Sequence, residues 1–305
     1  MTSSIKRLLV TGSSGFVGGH VITAAAQGVF GDVVVQALPR SVDLRDAASV
    51  AAAVLELKPD LVLHLAGQSF VPRSFDDPAE TIEINLLGTL NLLLALRAAA
   101  FNGRMVYVSS GDVYGQVAEV DLPVDERTIP HPRSPYGVSK ISAEQLCLQW
   151  HRTEGLDVMI ARPFNHIGPG QSASFVVPSL ARQVVEIRDG ERSAVIEAGD
   201  IDVTRDFTDV RDVVAAYAAM LSAGRSGATY VVGSGRERTV RSLLEMLLAQ
   251  AGVVAEVRQD PKRMRPSEQR RMWSSPELLR IHTGWMPRIP VETTLEQILM
   301  DVRTK

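Results

Sequence analysis

The chain has 305 residues, of which 45% are hydrophobic and 22% charged, with a formal net charge of −3. That is enough apolar material for one or two packed domains, and it excludes a disordered tail, a collagen-like chain and a coiled-coil rod. The slight acidity gives no electrostatic case for generic nucleic-acid binding.

In chain order, Lys6–Thr11 reads as a buried strand, and Gly12–Gly18 as the turn that follows. Helical apolar spacing covers Phe16–Gln27, and Asp32–Leu38 is a second strand. An Ala-rich helix spans Asp46–Leu57, and Leu61–Leu65 is a third strand. One long helix covers Pro78–Ala100, and Arg104–Ser109 is a fourth strand. After a polar loop come a helix over Pro135–Glu154 and a fifth strand over Leu156–Arg162. Strand and helix alternate with short connectors, which predicts an α/β fold with a Rossmann-like doubly wound parallel sheet. Beyond Pro163 the alternation loosens. Helices are expected at Phe175–Asp189, Val210–Ala223, Val240–Ala251 and Val291–Val302, with short strands at Ala194–Ala198, Thr229–Val232 and Ala255–Arg258. A cofactor domain over 1–165 and a smaller C-terminal substrate-binding α/β domain over 166–305 are expected, with segments able to cross between them.

The only cysteine, Cys147, allows no internal disulfide and no CxxC metal site, which suits a reducing compartment. The N-terminal apolar burst Leu8-Leu9-Val10 is too short for a signal peptide. No uninterrupted run approaches the roughly 18 apolar residues of a membrane helix. A cytoplasmic protein without membrane or nucleic-acid partners is expected.

The first turn reads Gly12-Ser13-Ser14-Gly15-Phe16-Val17-Gly18, a GxxGxxG pattern between a strand and an apolar helix. The first glycine permits the tight turn, the middle one lets backbone approach a pyrophosphate, and the last lets helix and strand pack closely. The tip of the second strand reads Leu38-Pro39-Arg40-Ser41, with no acid for a ribose 2′-hydroxyl. Arg40 suits a 2′-phosphate, so NADP(H) is expected over NAD(H), with Asp43 and its neighbour Leu44 near the adenine.

Tyr136-Gly137-Val138-Ser139-Lys140 places a phenol and an ammonium four residues apart on one helix face. A cation beside a phenol lowers its pKa, which would tune Tyr136 for proton transfer. Ser109-Ser110 ends the fourth strand upstream, where a hydroxyl can polarise a substrate carbonyl.

With these segments the chain resembles the extended short-chain dehydrogenase/reductase family, sugar-nucleotide branch. The resemblance covers nearly all of it. It is carried by Thr11–Gly18, Leu65-Ala66-Gly67, Asn85, Ser109–Gly115, Tyr136–Lys140, Arg162-Pro163-Phe164-Asn165, Arg205-Asp206-Phe207, Asp209-Val210 and Gly284-Trp285-Met286-Pro287. It implies Ser110, Tyr136 and Lys140 as the catalytic set. It places Leu65, Ala66, Gly67, Asn85, Ser109, Pro163 and His166 on the cofactor. It places Asp112, Asn165, Ser179, Arg182 and Arg205 along the substrate cleft.

Dehydratases of this family carry an acid–Glu or Ser–Glu pair after the catalytic hydroxyl. Here those places hold Gly111, with no side chain, and Asp112, one methylene shorter, which counts against dehydration. No pair for C3/C5 epimerisation is evident. The stretches Ser109–Ala118, Arg162–Gln171 and Gly199–Val210 look like the 4-keto reductases, so a GDP-linked 4-keto-6-deoxy sugar is the expected substrate. A 4,6-dehydratase, a 4-epimerase with bound NAD and a non-catalytic redox sensor are the rival readings.

Residues Arg258–Arg271 hold six Lys/Arg, namely Arg258, Lys262, Arg263, Arg265, Arg270 and Arg271. Guanidinium groups there suit a diphosphate, and Arg265 with Glu268 matches the family spacing for phosphate and ribose. The long helices over Pro78–Ala100 and Tyr136–Glu154 carry surplus apolar positions, and in related enzymes such helices form a dimer interface. A homodimer is expected.

Overall fold

A computed structural model describes residues 5–260 and 269–303. Six parallel strands form the main sheet: β1 (Lys6–Thr11), β2 (Val33–Ala37), β3 (Leu61–His64), β4 (Arg104–Val108), β5 (Asp157–Pro163) and, late in the chain, β9 (Thr229–Val232). Their spatial order is β2-β1-β3-β4-β5-β9, so the chain reverses direction of travel between β1 and β3. That reversal opens a crevice beyond the carboxyl ends of these strands.

Both faces of the sheet are buried, which is why its strands read as nearly continuous apolar runs. Leu8, Val10, Leu63, Val106, Met159 and Ala161 face one side and pack with Val21 of helix α1 (Phe16–Ala26). Leu9, Val62, Met105, Tyr107, Val158 and Ile160 face the other side, with Val50 and Val54 of α2 (Ala47–Leu57). The alternation is the strand's period of two. Local signals set the helix starts. Asp46 caps α2 by accepting from the Ala48 and Ser49 amides, as preferred at this position.

After α3 (Val71–Asp76), the segment expected as one long helix, Pro78–Ala100, is α4 (Pro78–Ile82), a π-helical turn over Glu83–Leu87, and α5 (Gly88–Ala98). The Thr89 hydroxyl donates to the Asn85 carbonyl (2.7 Å), and the widened turn carries Asn85 inward to 2% exposure. Pro78–Ala98 has the length of a membrane-crossing helix, with a mean hydropathy of 1.3 over its most apolar window. The stretch carries Glu80, Glu83 and Arg97, so it is no uninterrupted apolar run. Leu92, Leu93, Ala95 and Leu96 are instead buried in the protein core.

Helix α6 (Pro135–Glu154) is capped by Ser134, which accepts from the Gly137 amide (3.0 Å), and closes on Gly155 in the left-handed region. Beyond β5 lie β6 (Asn165–Ile167), α7 (Val176–Arg188), β7 (Val195–Ala198), β8 (Thr204–Asp209) and α8 (Val210–Ala223). After β9 come β10 (Glu237–Thr239), α9 (Val240–Ala251), β11 (Glu256–Gln259), α10 (Glu277–Thr283) and α11 (Val291–Arg303). A small sheet runs β10-β8-β6, and β11 pairs with β7. The helices α7, α9 and α11 bury their own core of Leu180, Val184, Leu243, Leu247, Leu295 and Ile298. Helix α8 and strand β9 pack with the main sheet instead, through Val213, Tyr217, Met220 and Tyr230.

Five of the described strands and α-helices were not read from the sequence: α3, β6, β8, β10 and α10. The strands are three to six residues long, and β8 (TRDFTD) and β10 (ERT) are polar. Too short for alternation to register, they are fixed by pairing across the cleft.

Candidate active site

The crevice is lined by the residues that leave β1, β3, β4 and β5. At the first of these turns Gly12 has φ 72°, and a Cβ there would lie 2.8 Å from the Ala66 amide nitrogen. A Cβ on Gly18 would approach the Gly12 carbonyl to 2.3 Å. Both glycines are required by the chain's own packing. Gly15 differs: the nearest atom to a Cβ is the Gly12 oxygen at 3.3 Å. Its missing side chain leaves open the N-terminus of α1, where no side chain caps the free amides and no acid occupies the first turn. An open, uncapped helix start fits a pyrophosphate. Phe16 and Val17 form the first turn, and Phe16 stacks on His166 with ring centroids 6.1 Å apart.

At the end of β2, Arg40 is exposed. The Asp43 carboxylate is held by Arg45 through contacts of 2.6 and 3.0 Å, and Arg45 keeps its pKa below the ordinary value. The acid expected near the adenine is thus already engaged. Leu44 is buried against Gly88, and its carbonyl accepts from Asn91 (2.8 Å), so its side chain is not presented at the surface.

After β3, the Ala66 amide donates to the Thr11 hydroxyl oxygen (3.1 Å), and Leu65 and Gly67 flank it. Gly67 lies against Asn85: a Cβ there would be 2.8 Å from its Oδ1 and 3.8 Å from Lys140 Nζ. Asn85 accepts from the Gln68 amide (2.8 Å) and donates to the Gln68 carbonyl (3.0 Å) and to Ser139 Oγ (2.9 Å). It therefore ties the β3 turn to the helix bearing Tyr136 and Lys140.

Beneath this tie lies a residue that the sequence reading missed. His64 is 1% exposed, with Nδ1 2.6 Å from the Thr11 hydroxyl and Nε2 3.0 Å from the Thr89 hydroxyl. The Thr89 proton goes to the Asn85 carbonyl, so His64 donates through Nε2 and accepts at Nδ1. Burial, then the Lys140 charge, pushes its pKa down to about 3 and keeps it neutral. The signal available in sequence was its place directly before Leu65-Ala66-Gly67.

Tyr136 and Lys140 are 7% and 5% exposed. Lys140 Nζ lies 4.8 Å from the Tyr107 ring centroid. Burial pulls its pKa down to about 8, with the Glu144 carboxylate acting the other way. Burial raises the Tyr136 pKa well above its ordinary value, Asp112 raises it further, and a hydrogen bond with Ser110 acts the other way. The expectation that Lys140 sets this phenol low is corrected: burial and Asp112 govern it, and both hold the proton on. Ser110 Oγ accepts from the Asp112 amide (3.1 Å) and caps a 3-10 turn over Gly111–Tyr114. A Cβ on Gly111 would meet the Phe164 ring at 3.1 Å, so packing disfavours a side chain at that place.

Ser109, expected at the cofactor, turns its hydroxyl away. It donates to the buried Glu144 carboxylate, while its amide donates to the Ala161 carbonyl (2.8 Å). At the end of β5, Pro163 is buried and paired in register with Val232, and beyond it His166 Nδ1 lies 3.0 Å from the Phe164 carbonyl.

On the far side of the crevice, Asn165 is exposed on β6, and Arg182 is exposed on α7 one turn from Ser179. Arg205 on β8 donates to the Thr204 carbonyl (2.6 Å). Its neighbour Asp206 is fully buried and accepts from Ser234, Gly235 and Ser274, which makes it a knot between loops. In the basic stretch, Arg258 faces Glu256 (3.7 Å), Arg270 pairs with Asp200 (3.1 Å), and Arg271 pairs with Glu237 (2.8 Å) and Glu119 (3.2 Å). Lys262, Arg263, Arg265 and Glu268 lie outside the described residues.

The chain is similar to known proteins along almost its whole length. The family model for GDP-mannose 4,6 dehydratase matches residues 36–298. A GDP-6-deoxy-D-mannose reductase of Pseudomonas aeruginosa is 53% identical over 298 residues, 97% of each chain. A GDP-mannose 4,6-dehydratase of Yersinia enterocolitica is 28% identical, over 82% of this chain and 74% of its own. Among solved structures, RMD from Pseudomonas aeruginosa complexed with NADPH superposes with a TM-score of 0.93 at 51% identity, covering 98% of this chain and 100% of that one. An open-ended glycine turn, a buried Tyr–Lys pair beside Ser110, and likeness along almost the whole length converge on one conclusion: the chain belongs to the sugar-nucleotide branch of the extended short-chain dehydrogenases/reductases, in the GDP-mannose 4,6-dehydratase family.

Proposed function

We propose that the protein is an oxidoreductase that reduces the C4 keto group of GDP-4-dehydro-6-deoxy-D-mannose with NADPH, giving GDP-6-deoxy-D-mannose (GDP-D-rhamnose). The observation that carries this reading is the likeness to a GDP-6-deoxy-D-mannose reductase along 97% of the chain, with Gly111 and Asp112 in the places after the catalytic hydroxyl. A ketone reduction needs a proton donor at the new alkoxide, and Tyr136 is buried beside Ser110 with its proton held on. The 53% identity to the Pseudomonas reductase names the substrate.

When bound, the dinucleotide supplies the hydride for C4. Tyr136 gives its proton to the developing alkoxide at O4, and Ser110 donates to the same oxygen as it gains charge. Lys140 holds the nicotinamide ribose, with Asn85 fixing the turn beside it. The amides at Gly15–Val17 receive the pyrophosphate. Arg40 takes the 2′-phosphate, favoured because Asp43 is already tied to Arg45. Asn165, Ser179, Arg182 and Arg205 line the sugar-nucleotide cleft, and Arg265 with Glu268 completes the diphosphate and ribose contacts. The work is divided between a cofactor lobe over 1–165 and a substrate lobe over 166–305, with α8 and β9 contributed back to the first. Dehydration is disfavoured because Gly111 offers no side chain and abuts Phe164. The enzyme acts in the cytoplasm as a homodimer.

The test is incubation with GDP-4-dehydro-6-deoxy-D-mannose and NADPH or NADH, with the sugar product identified by NMR. Stoichiometric NADPH oxidation and a 6-deoxy-mannose product are expected. No oxidation of either cofactor overturns the reading, and a keto sugar formed from GDP-mannose without added cofactor replaces it with dehydration.

A further inference from the structure

Tyr136, Lys140 and Glu144 lie at four-residue steps on α6, and so on one face. The first two reach the crevice; the third does not. Glu144 is completely buried and meets Arg162 of β5 through contacts of 2.7, 3.1 and 3.2 Å. The Arg162 side chain is 6% exposed. Two further groups close the network. Ser109 donates its hydroxyl to Glu144. Arg162 donates to the Tyr114 hydroxyl (3.1 Å) and lies 5.1 Å from that ring's centroid, while Tyr114 donates on to the Asp125 carbonyl (2.8 Å).

The geometry has one consequence for the loop after β4. Ser109 and Tyr114 bracket the turn that carries Ser110 and Asp112, and the ion pair grips both ends of it. The same pair is anchored one turn below Lys140. We propose that Glu144 and Arg162 are positioning residues, which fix the Ser110 turn relative to Tyr136 and Lys140.

Stability alone is a poor reason for such a pair. Desolvating two charges costs about as much as their attraction returns, and well-packed apolar replacements are often as stable or more so. A fully hydrogen-bonded buried network does, however, impose one arrangement on the groups it joins. Here those groups are the backbone of the catalytic hydroxyl and the helix of the catalytic phenol. Small displacements between such groups cost large factors in rate.

The inference rests on the reductase reading, and the experiment separates the two. Glu144→Gln and the double variant Glu144→Leu/Arg162→Met are compared with the native enzyme for thermal melting, NADPH dissociation constant, KM and kcat. The double variant is expected to melt near the native temperature. In both, kcat is expected to fall roughly ten- to a hundredfold, with the NADPH dissociation constant and the sugar-nucleotide KM within about threefold. A folded double variant with native kcat overturns the proposal, as does a loss confined to KM. Should the double variant not fold, Glu144→Gln decides by the same split, and an unchanged kcat overturns it. A native protein that oxidises no cofactor fails the reductase reading instead. Crystal structures of the native protein and Glu144→Gln then judge the pair, and an unmoved Ser110–Tyr136 contact overturns it.

Discussion

Tyr136 shows how environment assigns a role to a common residue. Its phenol is buried beside Ser110, and Asp112 adds a negative field that opposes ionisation. Removing the hydroxyl removes the proton donor while leaving the ring. Tyr136→Phe is expected to lower kcat by roughly a hundredfold or more, the scale of general acid catalysis, with NADPH binding by fluorescence titration unchanged; near-native turnover would show that another group supplies the proton. Lys140 makes a prediction in pH. The groups around it are the Tyr107 ring, neutral His64, Glu144 and Cys147, and burial prevails, taking it to about 8 from an ordinary 10.5. Between those values the unfolded chain keeps a proton that the native chain releases. The Lys140 contribution to stability therefore rises with pH across about 8 to 10.5 and is least below pH 8. Turnover should run the other way, falling above about pH 8 as the ammonium that holds the ribose is lost. Melting temperatures of cofactor-free native and Lys140→Met protein, compared across this range, isolate the term. A native-minus-variant difference that does not grow with pH contradicts it.

At the scale of elements, the three glycines of the first turn meet different surroundings. Gly12 and Gly18 are demanded by backbone approach, Gly15 by space outside the chain. Gly18→Ala should destabilise by a few kcal/mol or fail to fold, because the clash is with backbone atoms. Gly15→Ala should melt within a few degrees of native and weaken NADPH binding at least tenfold, measured by calorimetry. Native affinity in a folded Gly15→Ala protein would remove the pyrophosphate from that turn. The GxxGxxG pattern, the Tyr136–Lys140 pair and the strand starts were legible because each is local: a turn, a helix face, an apolar run. The π-helical turn at Glu83–Leu87 was not. It exists because Asn85 has partners in Gln68 and Ser139, and those partners are 17 and 54 residues away. The short strands β6, β8 and β10 escaped for the same reason.

At the scale of the whole molecule, apolar side chains remain exposed on the segment from α4 to α5 and on α6, among them Ile82, Leu87, Leu94 and Val138, at 37–45% exposure. Pairing of two copies over these helices would cover them, so scattering or ultracentrifugation should give twice the chain mass; a monomeric mass at micromolar concentration rejects the dimer. By itself the sequence determined the doubly wound sheet, the glycine-rich turn and the placing of Tyr136 and Lys140 on one helix face, since each follows from short-range periodicity or a motif of fixed spacing. Tertiary structure alone decided what surrounds them. It turned the Ser109 hydroxyl from the cleft to Glu144, closed Asp43 onto Arg45, seated His64 between two threonines and returned β9 to the first sheet. Apart from Asp43 and Arg45, those contacts join residues far apart in the chain. Burial and charge fields are sums over such neighbours, and no local pattern encodes a sum over residues that only folding brings together.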